Sequence, residues 1–218
     1  MATIRTSFGG RGLVRAVIWK KLRRRLRADA EKGSAAIEFA IVAPIFFTLL
    51  LGTFEAGIMF FSQSVLQNAV TDAGRLVRTG QAACFNKNPN GSCASAMTEQ
   101  QFVNQICDTA GILLMNCSSA LKLDVDVATN GFSALSTPLI PNPSNPGDLS
   151  QQLFNPAFPL NFNLGNACDV VVVRAFYQWS VVTPVLSWFL VNMSGGQHLL
   201  SAASAFRNEP FTADVAGC

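Results

Sequence analysis

Residues 37–61 read IEFAIVAPIFFTLLLGTFEAGIMFF, an apolar run whose only charged residues are Glu38 and Glu55. A helix rises 1.5 Å per residue, so about 20 apolar residues cross the ~30 Å hydrocarbon of a bilayer. The run predicts a membrane-spanning helix. A secretory signal also places basic residues ahead of apolar ones, but its apolar region is about 7–15 residues long and ends in a small-x-small cleavage site. Here the run is longer, and the small residues Ser34, Ala35 and Ala36 precede it rather than follow it. The span is therefore expected to be retained.

Charge on either side of the run sets an expected orientation. The segment ending at Gly33 holds ten basic residues (Arg5, Arg11, Arg15, Lys20, Lys21, Arg23, Arg24, Arg25, Arg27, Lys32) against Asp29 and Glu31, a net +8. The rest carries 6 basic and 11 acidic residues, a net −5. Lys and Arg beside a span stay on the cytoplasmic side. The N-terminus is thus expected inside the cell and everything after Phe61 outside the cytoplasm. The same rule accounts for Arg23-Arg24-Arg25, which also looks like a twin-arginine signal. An acidic outer part is poorly suited to a broad basic nucleic-acid face, so no nucleic-acid partner is expected. Half of the chain is hydrophobic and 13% is charged, against about 25% charged in ordinary soluble domains. This composition excludes a disordered tail protein and argues against a wholly soluble cytosolic enzyme.

All six cysteines, Cys84, Cys93, Cys107, Cys117, Cys168 and Cys218, fall on the expected outer side. Six cysteines admit many pairings that sequence alone leaves open. The pairing favoured here is Cys84 with Cys93 across KNPNGS, Cys107 with Cys117, and Cys168 with Cys218. Each bridge would stabilise by roughly 2–4 kcal/mol in an oxidising compartment. A zinc site is disfavoured, because close C-x₂₋₄-C spacing is absent and His198 is the only histidine.

Beyond the span, Leu66, Ala69, Val70, Ala73, Leu76 and Val77 recur at helical spacing, with Gln63, Gln67, Asp72, Arg75 and Arg78 at the other positions. One helix from about residue 37 to 79, ending near Gly80, would be roughly 65 Å long, more than a bilayer needs. Its second half is expected to pack on an outer domain. There, 98–115 suits a second helix, 121–127 alternates as a half-buried strand, and 168–182 and 199–206 read as strands. Asp124 and Asp126 share one strand face, expected to be the solvent side rather than a calcium site. Residues 136–167 hold most of the prolines and are expected to be a long irregular loop. The apolar PVLSWFLVNMS (184–194) is too short for a second span, and hairpin apex, interfacial segment and buried helix all remain open. The fold class is α+β: a long N-terminal helix on a small antiparallel sheet, pilin-like and disulfide-stapled. Three parts are expected: a cleaved basic cytoplasmic leader (1–33), a transmembrane and amphipathic helix (34–80) and an extracytoplasmic α+β domain (81–218).

At the membrane boundary stands Lys32-Gly33-Ser34-Ala35-Ala36-Ile37-Glu38-Phe39. A glycine after a basic leader, with Glu-Phe opening an apolar helix, resembles a type IV prepilin processing site, cut after the glycine by a membrane aspartic peptidase. Cutting after Gly33 would leave Ser34 as the new N-terminus and Glu38 as the fifth residue. A carboxylate near the end of a membrane helix costs up to a few kcal/mol unless it is paired or at the interface.

The block GSAAIEFAIVAPIFFTLLLGTFEAG (33–57) resembles the N-terminal signature of the TadE-like family of tight-adherence (Flp/Tad) pilus proteins. QNAVTDAGRLVRTGQ (67–81) is similar to the family's helix continuation, and VVVRAFYQWSVVTP (171–184) and SAFRNEP (204–210) to its closing strands. The resemblance implies a minor pilin or pseudopilin in the inner membrane, with its C-terminal domain in the periplasm or carried into a pilus. The implied partners are a prepilin peptidase, other pseudopilins, the major pilin and the inner-membrane assembly platform. Glu38 would pair with the N-terminal amine of a neighbouring subunit and set assembly register. Pro44 would kink the span. Glu55, seventeen residues further on, falls on another face than Glu38, and a subunit contact or solvated anchor is expected of it.

For catalysis the sequence offers little: one histidine, no G-x-S-x-G and no phosphate-binding glycine loop. The expectation is no enzyme, no cofactor and no metal. Two alternatives from other classes stand beside the pilin reading. One is an unprocessed single-pass anchor carrying a periplasmic binding domain. The other is an envelope hydrolase or carbohydrate-binding module using Phe154, Phe158 and Phe162, against which the scarcity of Trp and His in that loop weighs.

Overall fold

The computed structural model describes residues 11–128, 131, 132, 160–183 and 186–211, with 11–32 by secondary structure alone. Helix α1 (Arg11–Arg78) is followed by a two-stranded hairpin, β1 (Asn86–Lys87) and β2 (Cys93–Ser95), and by α2 (Glu99–Ala110). A 3₁₀ turn (Gly111–Leu113), α3 (Cys117–Ala120), β3 (Leu121–Ala128), β4 (Val170–Ser180), α4 (Ser187–Leu190) and β5 (Gln197–Arg207) complete the order. The α+β class read from the sequence is the class observed. Two differences concern helix ends. The first helix starts well before residue 37, and α2 stops at Gly111, whose positive φ of 63° ends the α-helical pattern.

The chain divides after Leu51. In the first unit, the described side chains of the apolar run lie on no core: Ile37, Phe39, Ile41, Val42, Ile45, Phe46, Phe47, Leu49 and Leu51 are all exposed. A helix that is apolar on every side matches a nonpolar surrounding rather than water. Among the described residues, Gly33–Arg78 is the one helical stretch long and apolar enough to cross a membrane, with mean hydropathy 2.1 over its most apolar window.

In the second unit α1 changes character. Gly52, Glu55, Met59, Ser62, Leu66, Ala69 and Ala73 are buried, at alternating steps of three and four residues. That spacing keeps one stripe of the helix turned to a single neighbour. The stripe joins a core formed with Phe102 and Ile106 of α2 and with Leu123, Val125, Val171, Val173, Ala175, Leu200 and Ala202 of the sheet. A capping box opens α2: Gln101 N–H donates to Thr98 Oγ1, and Thr98 N–H donates to Gln101 Oε1.

The larger sheet is an antiparallel meander, β3-β4-β5. Its register sets Leu123 opposite Ala175 and Ala175 opposite Ala202, so side chains two apart along each strand fall on the core face. Both outer edges of this sheet are met by other backbone or side chains. At β3, Val125 exchanges backbone hydrogen bonds with Asn161 and Asn163 (2.7 and 2.9 Å). Next to them Phe162 packs edge-on against Phe102 of α2. At β5 the side-chain amide of Gln67 acts as a strand would. It donates to Ala203 O (2.9 Å) and accepts from Ala203 N–H (3.3 Å), while Gln63 donates to Ser201 O. Gln63 and Gln67, read from sequence only as polar positions, thus dock the helix on an edge that would otherwise invite pairing with another chain. Gly74 makes the approach possible, since a Cβ there would lie 2.9 Å from the Phe206 ring.

Two disulfides take the expected pairing. Cys84–Cys93 closes the β1–β2 hairpin, and Cys107–Cys117 ties α2 to α3. Cys168 is disulfide-bonded; Cys218 lies outside the described residues, as do Phe154, Phe158 and most of 136–167.

The expectation for Asp124 is overturned. It is buried, and its carboxylate accepts from Arg174 Nη1 (2.9 Å), directly opposite on β4, and from the Asn161 N–H (3.0 Å). The second sheet face is covered at this point, and the charge is held because both oxygens have donors.

Candidate functional site

Gly33, Ser34, Glu38 and Pro44 share the helical first unit. Gly33 is exposed, and a Cβ built on it would meet nothing within 4 Å. One turn on, Ser34 Oγ donates to Glu38 Oε1 at 3.2 Å. Glu38 is exposed, and this is a contact between neighbours four apart on one helix face, of the kind worth a few tenths of a kcal/mol. The carboxylate therefore stands at the edge of the apolar run, available to a cation from elsewhere. Pro44 lies inside the helix, which continues across it. It brings no N–H to the helical ladder, and its carbonyl takes a second donor, Thr48 Oγ1 (2.7 Å).

Glu55 stands in a different setting, within the second unit. It is 9% exposed. Its two oxygens accept from the backbone N–H groups of Val182 and Thr183, the latter at 2.9 Å. One turn earlier Gly52 faces Leu186, whose methyl group would lie 2.5 Å from a Cβ at 52. Gly52 and Glu55 thus fasten α1 to the connection between β4 and β5: the glycine by close approach, the carboxylate by two charge-assisted bonds. A subunit contact or solvated anchor was expected of Glu55; the side chain is instead an internal latch. The sequence signal was present, since a charge deep in an apolar run requires a partner, but its partners are backbone N–H groups far along the chain.

His198 serves the same connection, with Nδ1 against Leu190 O. Among the described residues there is no cluster of three or more metal-ligating side chains.

The geometry defines a class first: an α+β domain whose core takes in the helix from Gly52 onward, with an apolar, exposed helical run over Ile37–Leu51 as a separate unit. Within that class, residues 33–75 match the family of TadE-like proteins. The match begins at the glycine that ends the basic leader and runs through Glu38, Pro44, Gly52, Glu55 and Gln67. Segments 171–184 and 204–210 lie outside it. No curated protein and no solved structure matches the chain.

Proposed function

We propose that the chain is a minor pilin or pseudopilin of a tight-adherence (Flp/Tad) type IV pilus, processed by a prepilin peptidase after Gly33. The observation that carries this reading is the family match over 33–75, which starts at Gly33 and includes Glu38. The precursor inserts with its basic leader in the cytoplasm, and cleavage frees the Ser34 amine. The mature helix then assembles against other pseudopilins and the major pilin at the inner-membrane platform. There the exposed Glu38 carboxylate pairs with a neighbouring subunit's N-terminal amine. Among the described residues, a cation reaching Glu38 competes with the Ser34 hydroxyl, and cleavage turns that same residue into the new N-terminus. The disulfide-stapled domain faces the periplasm or the fibre surface, and no catalytic role is assigned to it.

A second reading, the unprocessed single-pass anchor with a periplasmic binding domain, is favoured by one observation: α1 passes through Gly33 without a break, whereas a peptidase must take an unwound backbone. N-terminal sequencing and intact mass of the protein from native membranes decide between them, with Gly33→Leu as control. The pilin reading expects a chain starting at Ser34, lost in the control. A chain that keeps residues 1–33 overturns it in favour of the anchor.

A further inference from the structure

The connection between β4 and β5 is unlike an ordinary surface loop. Residues 181–196 (VVTPVLSWFLVNMSGG) contain no charged side chain, although loops facing water are normally polar. Helix α4 presents Trp188 and Phe189 outward, 73% and 70% exposed with rings 3.5 Å apart, and Val182 is 82% exposed. The turn behind them is firmly held. Leu186 abuts Gly52, Glu55 grips the N–H groups of Val182 and Thr183, and Asn192 Oδ1 accepts from Leu199 N–H at 2.8 Å. Exposed aromatics on a connection fastened to a helix inside its apolar run stand where Trp and other amphipathic rings collect beside a membrane span.

We propose that this connection seats in the outer headgroup–acyl boundary of the bilayer, with Trp188 and Phe189 as its anchors. The inference rests on the reading that the apolar run crosses a membrane. Continuity with that run identifies the occupant as lipid: Gly52 and Glu55, which hold the connection, lie within 37–61. A second copy of the chain fits less well. Two aromatic rings and a valine offer about 500 Å² at most, short of the roughly 800 Å² per partner of a stable protein interface. Seating the turn also gives a role to Glu55, which satisfies backbone N–H groups at a depth where water is scarce.

The test uses the full chain in phosphatidylethanolamine–phosphatidylglycerol vesicles containing lipid brominated in the upper acyl chain. The chain has three tryptophans, so the difference between Trp19→Phe and the double variant Trp19→Phe/Trp188→Phe isolates Trp188 without disturbing the core. Loss of most of the Trp188 emission to the bromolipid, with little quenching by aqueous iodide, is the expected result. Quenching by iodide and not by bromolipid overturns the proposal. Protection from both, persisting in oligomers as protein is diluted in lipid, also overturns it and assigns the patch to a second copy. Phe47→Trp in the double-variant background reports the span separately. Read in vesicles whose lipid is brominated near the acyl-chain ends instead, position 47 should be quenched; if it escapes, the membrane-spanning reading itself fails.

Discussion

Glu38 and Glu55 sit in one apolar run of one helix, yet they are treated in opposite ways. Glu38 is exposed and bonded to a serine one turn away, whereas Glu55 is buried and holds two backbone N–H groups from the far end of β4. Burying a carboxylate costs several kcal/mol unless donors replace water. The fold supplies those donors to Glu55 and leaves Glu38 with a single weak one. The difference separates two settings of the same residue type: Glu55 belongs to the folding of the domain, and the exposed Glu38 is the one that the proposed function assigns to association.

Removing the Glu55 latch is the severest challenge to that contrast. Glu55→Ala leaves two N–H groups without their charged acceptor and should cost about 3 kcal/mol of domain stability. Glu55→Gln, which keeps one acceptor oxygen, should recover about half of that loss. Denaturant unfolding in detergent reads both, and an unchanged midpoint for Glu55→Ala would show that the contact is incidental.

Gln67→Ala comes next. Its side chain makes two neutral bonds to Ala203, so a loss of about 1–2 kcal/mol is expected. The freed β5 edge should also promote self-association, visible as concentration-dependent sedimentation. Unaltered stability and sedimentation would reduce Gln67 to a surface residue.

A smaller effect isolates the domain from the span. Burial pushes the Tyr177 phenol above its usual value of 10.0, and its OH donates to Met115 O at 2.6 Å. The unfolded chain therefore releases this proton at lower pH than the native one. The stabilisation is complete below the unfolded value and is lost as pH rises through the native one. Tyr177→Phe should be less stable by about 1 kcal/mol at neutral pH and should flatten the alkaline decline. A decline identical to that of the parent protein would exclude Tyr177 as its source.

How far the sequence anticipated these outcomes depends on the reach of each interaction. Local signals are readable: the apolar run, the 3.6-residue stripe after Leu66, the alternation of 121–127, the β-branched strand expected over 168–182 and observed at Val170–Ser180, and the two short-range disulfides. Each follows from residues within about ten positions of one another. What escaped were pairings over long separations. Asp124 looked solvent-facing because nothing local announces that the β3–β4 register will set it against Arg174. Glu55 looked like an interfacial anchor because its partners lie about 127 residues away. Gln63 and Gln67 were read as the polar side of an amphipathic helix, since only the assembled sheet shows that its edge arrives there. At the membrane boundary, Gly33, Ser34 and Glu38 were singled out by residue type and spacing, and the family match over 33–75 begins at that same glycine.

In the proposed function Glu38 is reserved for assembly. The most direct measurement is the fraction of chain recovered with sheared pili or the detergent-extracted assembly platform, for Glu38→Ala against the parent protein. The expected result is that recovery collapses while domain stability changes by less than about 0.5 kcal/mol and both described disulfides still form. Undiminished recovery of Glu38→Ala would contradict it.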